Sequence, residues 1–253
     1  MSTKNEIDTD SALALYDEFA MLGTATVYEA AGRVGLVDLP LRRFGSRRAA
    51  AGPVRTVACA PGDNLTLHIA LRYAHQGDVL VVATPHDEPV ALFGELLGTQ
   101  AVAKSCAGLV ISAAVRDADK LDQLPLVVLA RHVRVRGATR RTFGAIDVPL
   151  ILGGVSVRPG DIAVLDADGA VVVPQDRIHA TLGAARDRAD RESRLREKFA
   201  KGSLSYDEYG LADLDPLASP SDDPHRPPEI TGGDGPEPYA KTGDSSSPSE
   251  SDA

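Results

Sequence analysis

No apolar run in this 253-residue chain approaches the roughly 18 residues that a membrane-spanning helix needs. Cysteine is scarce. Cys59 and Cys106 sit inside apolar stretches at a spacing that does not suggest a zinc site, so both read as small buried residues of a reducing compartment. The segment Met1 to Asp10 is polar and carries no apolar signal-peptide stretch; the expected location is the cytoplasm. The six histidines, among them His68, His75, His86 and His132, lack metal-ligand spacing, and His68 on an apolar helix face reads as a hydrogen-bonded core residue. There is no Gly-rich phosphate loop and no serine nucleophile elbow. Lys104 and Lys120 have the polar contexts of solvated lysines rather than of a Schiff-base residue. A basic excess is missing as well. Of the net charge of −9, the segment Asp215 to Ala253 carries −7, from nine acids and two bases, which leaves about −2 for the rest. Nucleic-acid binding through phosphates is not expected of such a surface.

What is present suits a globular enzyme: 43% hydrophobic and 25% charged residues, enough apolar material for one large core. Residues 1–10 read as a flexible N-terminus, 11–214 as the folded domain, and 215–253 as a disordered acidic tail rich in Pro and Ser, with too little apolar surface to offset the entropy of folding. The tail reads as a solubilising extension, with an interaction tail as the alternative. A helix is expected over Ser11 to Leu22, ended by Gly23, and a second one near Thr26, where Thr26 and Glu29 have capping-box spacing. Strands are expected at Gly52 to Ala60, Asp78 to Thr84, Gly108 to Val115 and Leu126 to Leu129, with helices at Asn64 to Tyr73 and Phe93 to Cys106. Beyond residue 130 the pattern turns to short β segments, Pro149 to Leu152, Ile162 to Leu165 and Ala170 to Val173, with a hairpin at Asp168-Gly169. A charged amphipathic helix, about Gln175 to Lys201, follows.

The stretch from Phe93 to Asp119 carries the chemistry. A helix beginning at Gly94-Glu95-Leu96-Leu97 offers free backbone N–H groups to an anion. The apolar run that follows ends in Val115-Arg116-Asp117, which places a planar cation and a carboxylate at the carboxyl end of a parallel strand, where open α/β sheets collect ligands. A plainer account exists for each piece: Asp117 as a helix cap, Arg116 in a surface ion pair, Glu95 favouring the helix dipole and the leucines filling core. Together the pieces describe a small oxo-acid site, with the Leu96 and Leu97 amides and Arg116 facing one cavity.

These residues also resemble a known family. The runs Thr24 to Ala30, Pro61-Gly62-Asp63-Asn64, Gly77 to Val82, Gly94 to Leu97, Val115-Arg116-Asp117, Val148-Pro149, Arg158-Pro159-Gly160-Asp161 and Asp166 to Gly169 are similar, in order and spacing, to the class II pyruvate aldolases related to 4-hydroxy-4-methyl-2-oxoglutarate aldolase. That family also contains the regulator of ribonuclease activity A. The resemblance implies an α/β fold, an α/β/α-type layered domain with a β-barrel-like second half, assembled as a trimer or hexamer. It implies that Gly94, Glu95, Leu96, Leu97 and Arg116 bind the pyruvyl group, that Asp117 holds Mg²⁺ or Mn²⁺ largely through waters, and that Glu95 handles a proton through water. It further implies that Glu29 and possibly Glu192 reach the site from a neighbouring subunit. The implied activity is metal-dependent cleavage of a 4-hydroxy-2-oxo acid to pyruvate and a second oxo acid, with oxaloacetate decarboxylation beside it. Two features depart from the family: Ser112-Ala113 ahead of Ala114, and the segment Ala83 to Glu88, which is expected to border the substrate. They leave open a related lyase with another oxo acid. The alternative is a regulatory binding protein, against which the retained Asp117 argues.

Overall fold

The computed structural model describes residues 9–217 apart from residue 88. The expectations for residues 1–8 and for residues 218–253 of the acidic tail lie outside the described residues. Two compact units divide the chain at Glu197/Lys198.

The first unit opens with helix α1 (Thr9–Ala30), kinked at Gly23, whose φ of 79° and ψ of 162° interrupt the helical path. The break expected at Gly23 is therefore there, but the second half starts at once rather than near Thr26. Its first free amide is not capped by a Thr26–Glu29 box. The Asp166 carboxylate accepts from Thr24 N–H and Thr24 Oγ1, both at 2.7 Å. A distant turn supplies the cap.

Strands β1 (Arg42–Phe44) and β2 (Ala50–Ala58), helix α2 (Leu65–Arg72), strands β3 (Val79–Ala83) and β4 (Ala91–Phe93) and helix α3 (Glu95–Ala103) follow. Next come β5 (Gly108–Val115), the short α4 (Ala118–Leu121) and β6 (Val127–Val133). The later strands are β7 (Ala145–Ile146), β8 (Leu150–Leu152), β9 (Val155–Val157), β10 (Ile162–Leu165) and β11 (Ala170–Val173), before the long helix α5 (Ile178–Ala200). Strands β1, β4, β7 and β9 escape the periodicity reading because two or three residues are too short to show alternation.

The main sheet runs β1-β6-β5-β3-β2-β10-β11. Strands β2, β3, β5 and β6 are mutually parallel, whereas β10 is antiparallel to both β2 and β11. Within β2, residues up to Pro53 pair with β10 and residues from Val54 pair with β3. Proline has no N–H to give the ladder, and it marks this change of partner. The result is a mixed α/β domain whose sheet curls into a half-barrel.

Alternation along the strands separates three cores. Leu80, Val82, Leu109, Ile111, Val128 and Ala130 face one side, with Leu67 and Leu71 of α2 and Leu97 and Ala101 of α3. Val79, Val81, Val110, Val127 and Leu129 face the other side, where Ala163, Leu165, Ala170 and Val172 close over them. The reverse faces of β10 and β11 (Ile162, Val164, Val171, Val173) pack on Phe19 and Val27 of α1 and Leu182 of α5. Helices thus line the outer faces as a layered α/β/α reading anticipates, but between them the sheet folds back on itself.

In the second unit, α6 (Ser205–Glu208) precedes a 3-10 turn over Leu211–Leu214. Lys198 Nζ bonds Glu208 at 2.6 Å, and the Phe199 and Tyr209 rings meet edge to face with centroids 6.5 Å apart.

Candidate active site

Strand β5 is buried along nearly its whole length and ends at Val115, so the next two side chains emerge at the carboxyl edge of the parallel strands. Arg116 N–H donates to Phe93 O at 3.0 Å, which ties this exit to the end of β4. Asp117 then adopts a left-handed conformation (φ 57°, ψ 42°) and begins α4 without capping it through its side chain. For a residue with a Cβ this conformation costs on the order of 1 kcal/mol, and it turns the carboxylate back beside Arg116. Arg116 Nε and Asp117 Oδ2 are 3.6 Å apart, and both side chains are nearly half exposed.

Two glycines make room for this pair. A Cβ on Gly94 would lie 2.9 Å from Asp117 Oδ2 and 3.0 Å from Arg116 Cγ, and a Cβ on Gly137 would lie 2.7 Å from Arg116 Nη1. The guanidinium therefore occupies a slot between residues 43 positions apart in sequence (Gly94 and Gly137). Gly94 is also the N-cap residue of α3 and offers no side chain to cap it. The amides of the first turn of α3 have no carbonyl within their own helix to bond.

Arg116, Asp117, Gly94, Leu96 and Leu97 line one cavity of about 290 Å³. Five of the residues singled out from the sequence thus come together. Three do not. Glu95, the first residue of α3, accepts from Thr99 Oγ1 at 3.2 Å and is not among the residues lining the cavity. Glu29 and Glu192 meet one another elsewhere, on α1 and α5, through Arg188, which lies 3.8 Å from Glu29 and 2.8 Å from Glu192. Arg33 pairs with Glu29 at 3.1 Å on the same surface. The segment Ala83 to Glu88 is likewise not part of the cavity wall among its described residues; Asp87 instead bonds His132 at 2.6 Å and Arg131 at 3.0 Å.

The remaining wall contains residues that sequence reasoning missed: Asn64, His68, Gln100, Ala138 and Arg140. His68 is a partly buried cavity residue and not the core histidine expected from its helix face. Burial, together with repulsion from Arg140, lowers its pKa and so favours the neutral ring. Arg140 and Ala138 are brought in by a strapped loop. Ala91 N–H donates to Arg136 O at 2.8 Å, and Asn64 N–H donates to Thr139 O at 2.9 Å. Asp63, almost wholly buried, accepts from Thr139 Oγ1 at 2.6 Å, Arg141 N–H at 2.7 Å and Leu65 N–H at 2.9 Å. Burial alone would raise the Asp63 pKa, but these donors outweigh it and bring the group down to about 2. The only early signal of this strap is Asp63-Asn64 standing ahead of α2.

Residues 24–172 match the family model described as RraA-like, Aldolase/RraA. The chain belongs to the RraA-like family. A relative from Halalkalibacterium halodurans, named "Putative 4-hydroxy-4-methyl-2-oxoglutarate aldolase", is 31% identical over 180 residues, 71% of this chain and 86% of that protein. A protein of the same name from Xanthomonas campestris pv. campestris is 40% identical over 139 residues, covering 55% of this chain and 83% of its own length. Among solved structures, the RNA-processing inhibitor RraA from Thermus thermophilis aligns at 31% identity with a TM-score of 0.56, over 60% of this chain and 92% of that one. Among the described residues, no helix is long and apolar enough to cross a membrane.

Proposed function

We propose that this RraA-like chain is a divalent-metal-dependent lyase that cleaves a 4-hydroxy-2-oxo acid, such as 4-hydroxy-4-methyl-2-oxoglutarate, to pyruvate and a second oxo acid. Oxaloacetate decarboxylation is the expected second reaction of the same site. The observation that carries the reading is the Arg116–Asp117 pair held against Gly94 at the mouth of α3, within one cavity sized for a small acid. The names of the relatives point the same way.

The donor set decides which cation fits. Among the described residues there is no group of three or more His, Cys, Asp or Glu that could cage a metal, and Asp117 is the one acid lining the cavity. A tetrahedral zinc site is not served by one carboxylate. A hydrated Mg²⁺ or Mn²⁺ would be, with Asp117 to hold it. When bound, such an ion supplies Lewis-acid polarisation of the 2-oxo group.

The chain's own residues do the rest. The Arg116 fork receives a planar carboxylate and stays positive beside the oxygens on which enolate charge grows. The first-turn amides of α3 add partial positive charge. As the C3–C4 bond breaks, its electron pair enters the pyruvate enolate, the 4-hydroxyl gives its proton to water, and C4 becomes a carbonyl. A proton then returns to C3 through water, the task assigned to Glu95. In oxaloacetate the C3–C4 pair likewise stays with the pyruvate enolate, and C4 leaves as carbon dioxide. Glu29 and Glu192 are assigned to the site of a neighbouring copy in a homotrimer or hexamer.

Pyruvate release from a panel of 4-hydroxy-2-oxo acids and oxaloacetate, with and without Mg²⁺, tests the proposal. Asp117→Asn keeps the side-chain volume and removes the charge that attracts the cation, so metal activation and turnover are both expected to fall severely. Arg116→Ala is expected to lose on the order of a hundredfold or more in rate, the cost of one preorganised electrostatic contact. Arg116→Lys recovers little, because a point charge does not reproduce the fork. A wild-type protein without metal-dependent release from any of these acids overturns the reading. It favours instead a regulatory binding protein, for which the likeness to an RNA-processing inhibitor is the motive.

A further inference from the structure

The cavity holds more polar equipment than the pyruvyl end of a substrate uses. Arg140 stands at its exposed rim, and among the described residues no carboxylate lies within ion-pair distance of it. Arg116, by contrast, has Asp117. The cavity wall therefore carries two guanidiniums against one carboxylate, and the neutral state favoured for His68 leaves Arg140 as the second cation of the wall.

Its position is built rather than incidental. In the strap, Thr139 and Arg141 are the residues bound to Asp63, while Ala138 and Arg140 line the cavity. The Thr139 side chain turns to Asp63, and its neighbours Ala138 and Arg140 line the cavity instead. Asn64, whose N–H donates to Thr139 O at 2.9 Å, makes the same side polar. Asn64, only 7% exposed, donates through Nδ2 to Leu92 O at 2.8 Å, yet its buried Oδ1 has no donor partner among the described residues. A buried acceptor left unpaired destabilises the wall around it.

We propose that Arg140 is a specificity-determining residue that binds an anionic group at the end of the substrate remote from the 2-oxo acid. This rests on the aldolase reading for the placement of the pyruvyl end at Arg116, and it adds a second recognition point on the strap over residues 136–141. It selects a dianionic oxo acid over a monoanionic one of equal length.

Equilibrium binding separates the two ideas, because it needs no turnover. The probes are 2-oxoglutarate, a dianion, and 2-oxopentanoate, a monoanion with the same five-carbon chain, each titrated calorimetrically into the full-length protein with Mg²⁺ present. Wild type is expected to bind the dianion at least tenfold more tightly. Arg140→Ala is expected to abolish that preference while changing 2-oxopentanoate affinity by less than twofold, and Arg140→Lys to restore part of it. Arg140 is exposed, so these variants leave the core intact; an unchanged melting midpoint checks this. Equal loss for both probes, or none for either, overturns the proposal. The binding pattern without pyruvate release from any 4-hydroxy-2-oxo acid sinks the aldolase reading and leaves Arg140 as an anion-recognition residue. Release with no dianion preference sinks the role of Arg140 and leaves the aldolase reading.

Discussion

Gly94 is extended, with φ −159° and ψ −171°, so any residue tolerates its backbone; space is what forbids a side chain there. The atoms that a Cβ would strike are the far end of Asp117 and the stem of Arg116, both able to swing outward. Gly94→Ala is therefore expected to fold normally, with a melting midpoint within a few degrees of wild type. Displacement of the two functional groups is expected to lower kcat/KM for pyruvate release about tenfold or more, since small misplacements in a site of this kind are costly. A variant with wild-type turnover would show that the close approach of Gly94 has no part in positioning the pair. The identities of Arg116, Asp117 and Gly94 were legible in the sequence. The contact that makes glycine necessary was not, because it joins residues more than 20 positions apart.

The strap over residues 136–141 shows how an element of the site depends on a buried charge. Asp63 titrates at about 2, below its ordinary value of 3.8. Its folded pKa is depressed, so its contribution to stability is complete above about pH 4 and fades as the pH falls from there towards 2. Acid titration of wild type should show this loss, followed by chemical denaturation at each pH, and Asp63→Asn should remove that part of the slope. The amide also presents Nδ2 to groups that are themselves donors, so the variant should cost about 2–3 kcal/mol at neutral pH. Arg140 should lose its place with it. The kink of α1 offers a parallel case: Asp166→Ala removes the partner of Thr24 N–H and Oγ1 and should cost about 1–2 kcal/mol, read from the same denaturation curves.

For the whole molecule, the α1–α5 surface that joins Glu29, Arg188 and Glu192 contributes nothing to the cavity wall of its own chain. If these acids act in catalysis, they act on another copy. Sedimentation velocity should then find a trimer or a multiple of three, with activity falling on dilution as the assembly dissociates. Glu192→Gln should lower turnover without changing the sedimentation of the assembly. A monomer that retains full activity at dilution would remove both acids from the site.

Strands β5, β10 and β11, and helix α2 to within a residue at each end, follow from local pattern alone. Apolar periodicity is a property of neighbours in sequence, and so is the Gly94–Leu97 turn into α3 or the Arg116–Asp117 exit from β5. The curl of the sheet is not such a property. It depends on β2 exchanging β10 for β3 at Pro53, which joins strands from opposite ends of the unit. The far wall of the cavity is of the same kind, since Asp63 and Thr139 are 76 residues apart and only the folded chain makes them partners. The sequence determined by itself which groups stand at the ends of its elements. The tertiary structure decided which of those ends meet, because long-range pairing answers to burial and hydrogen bonding across the molecule rather than to local spacing.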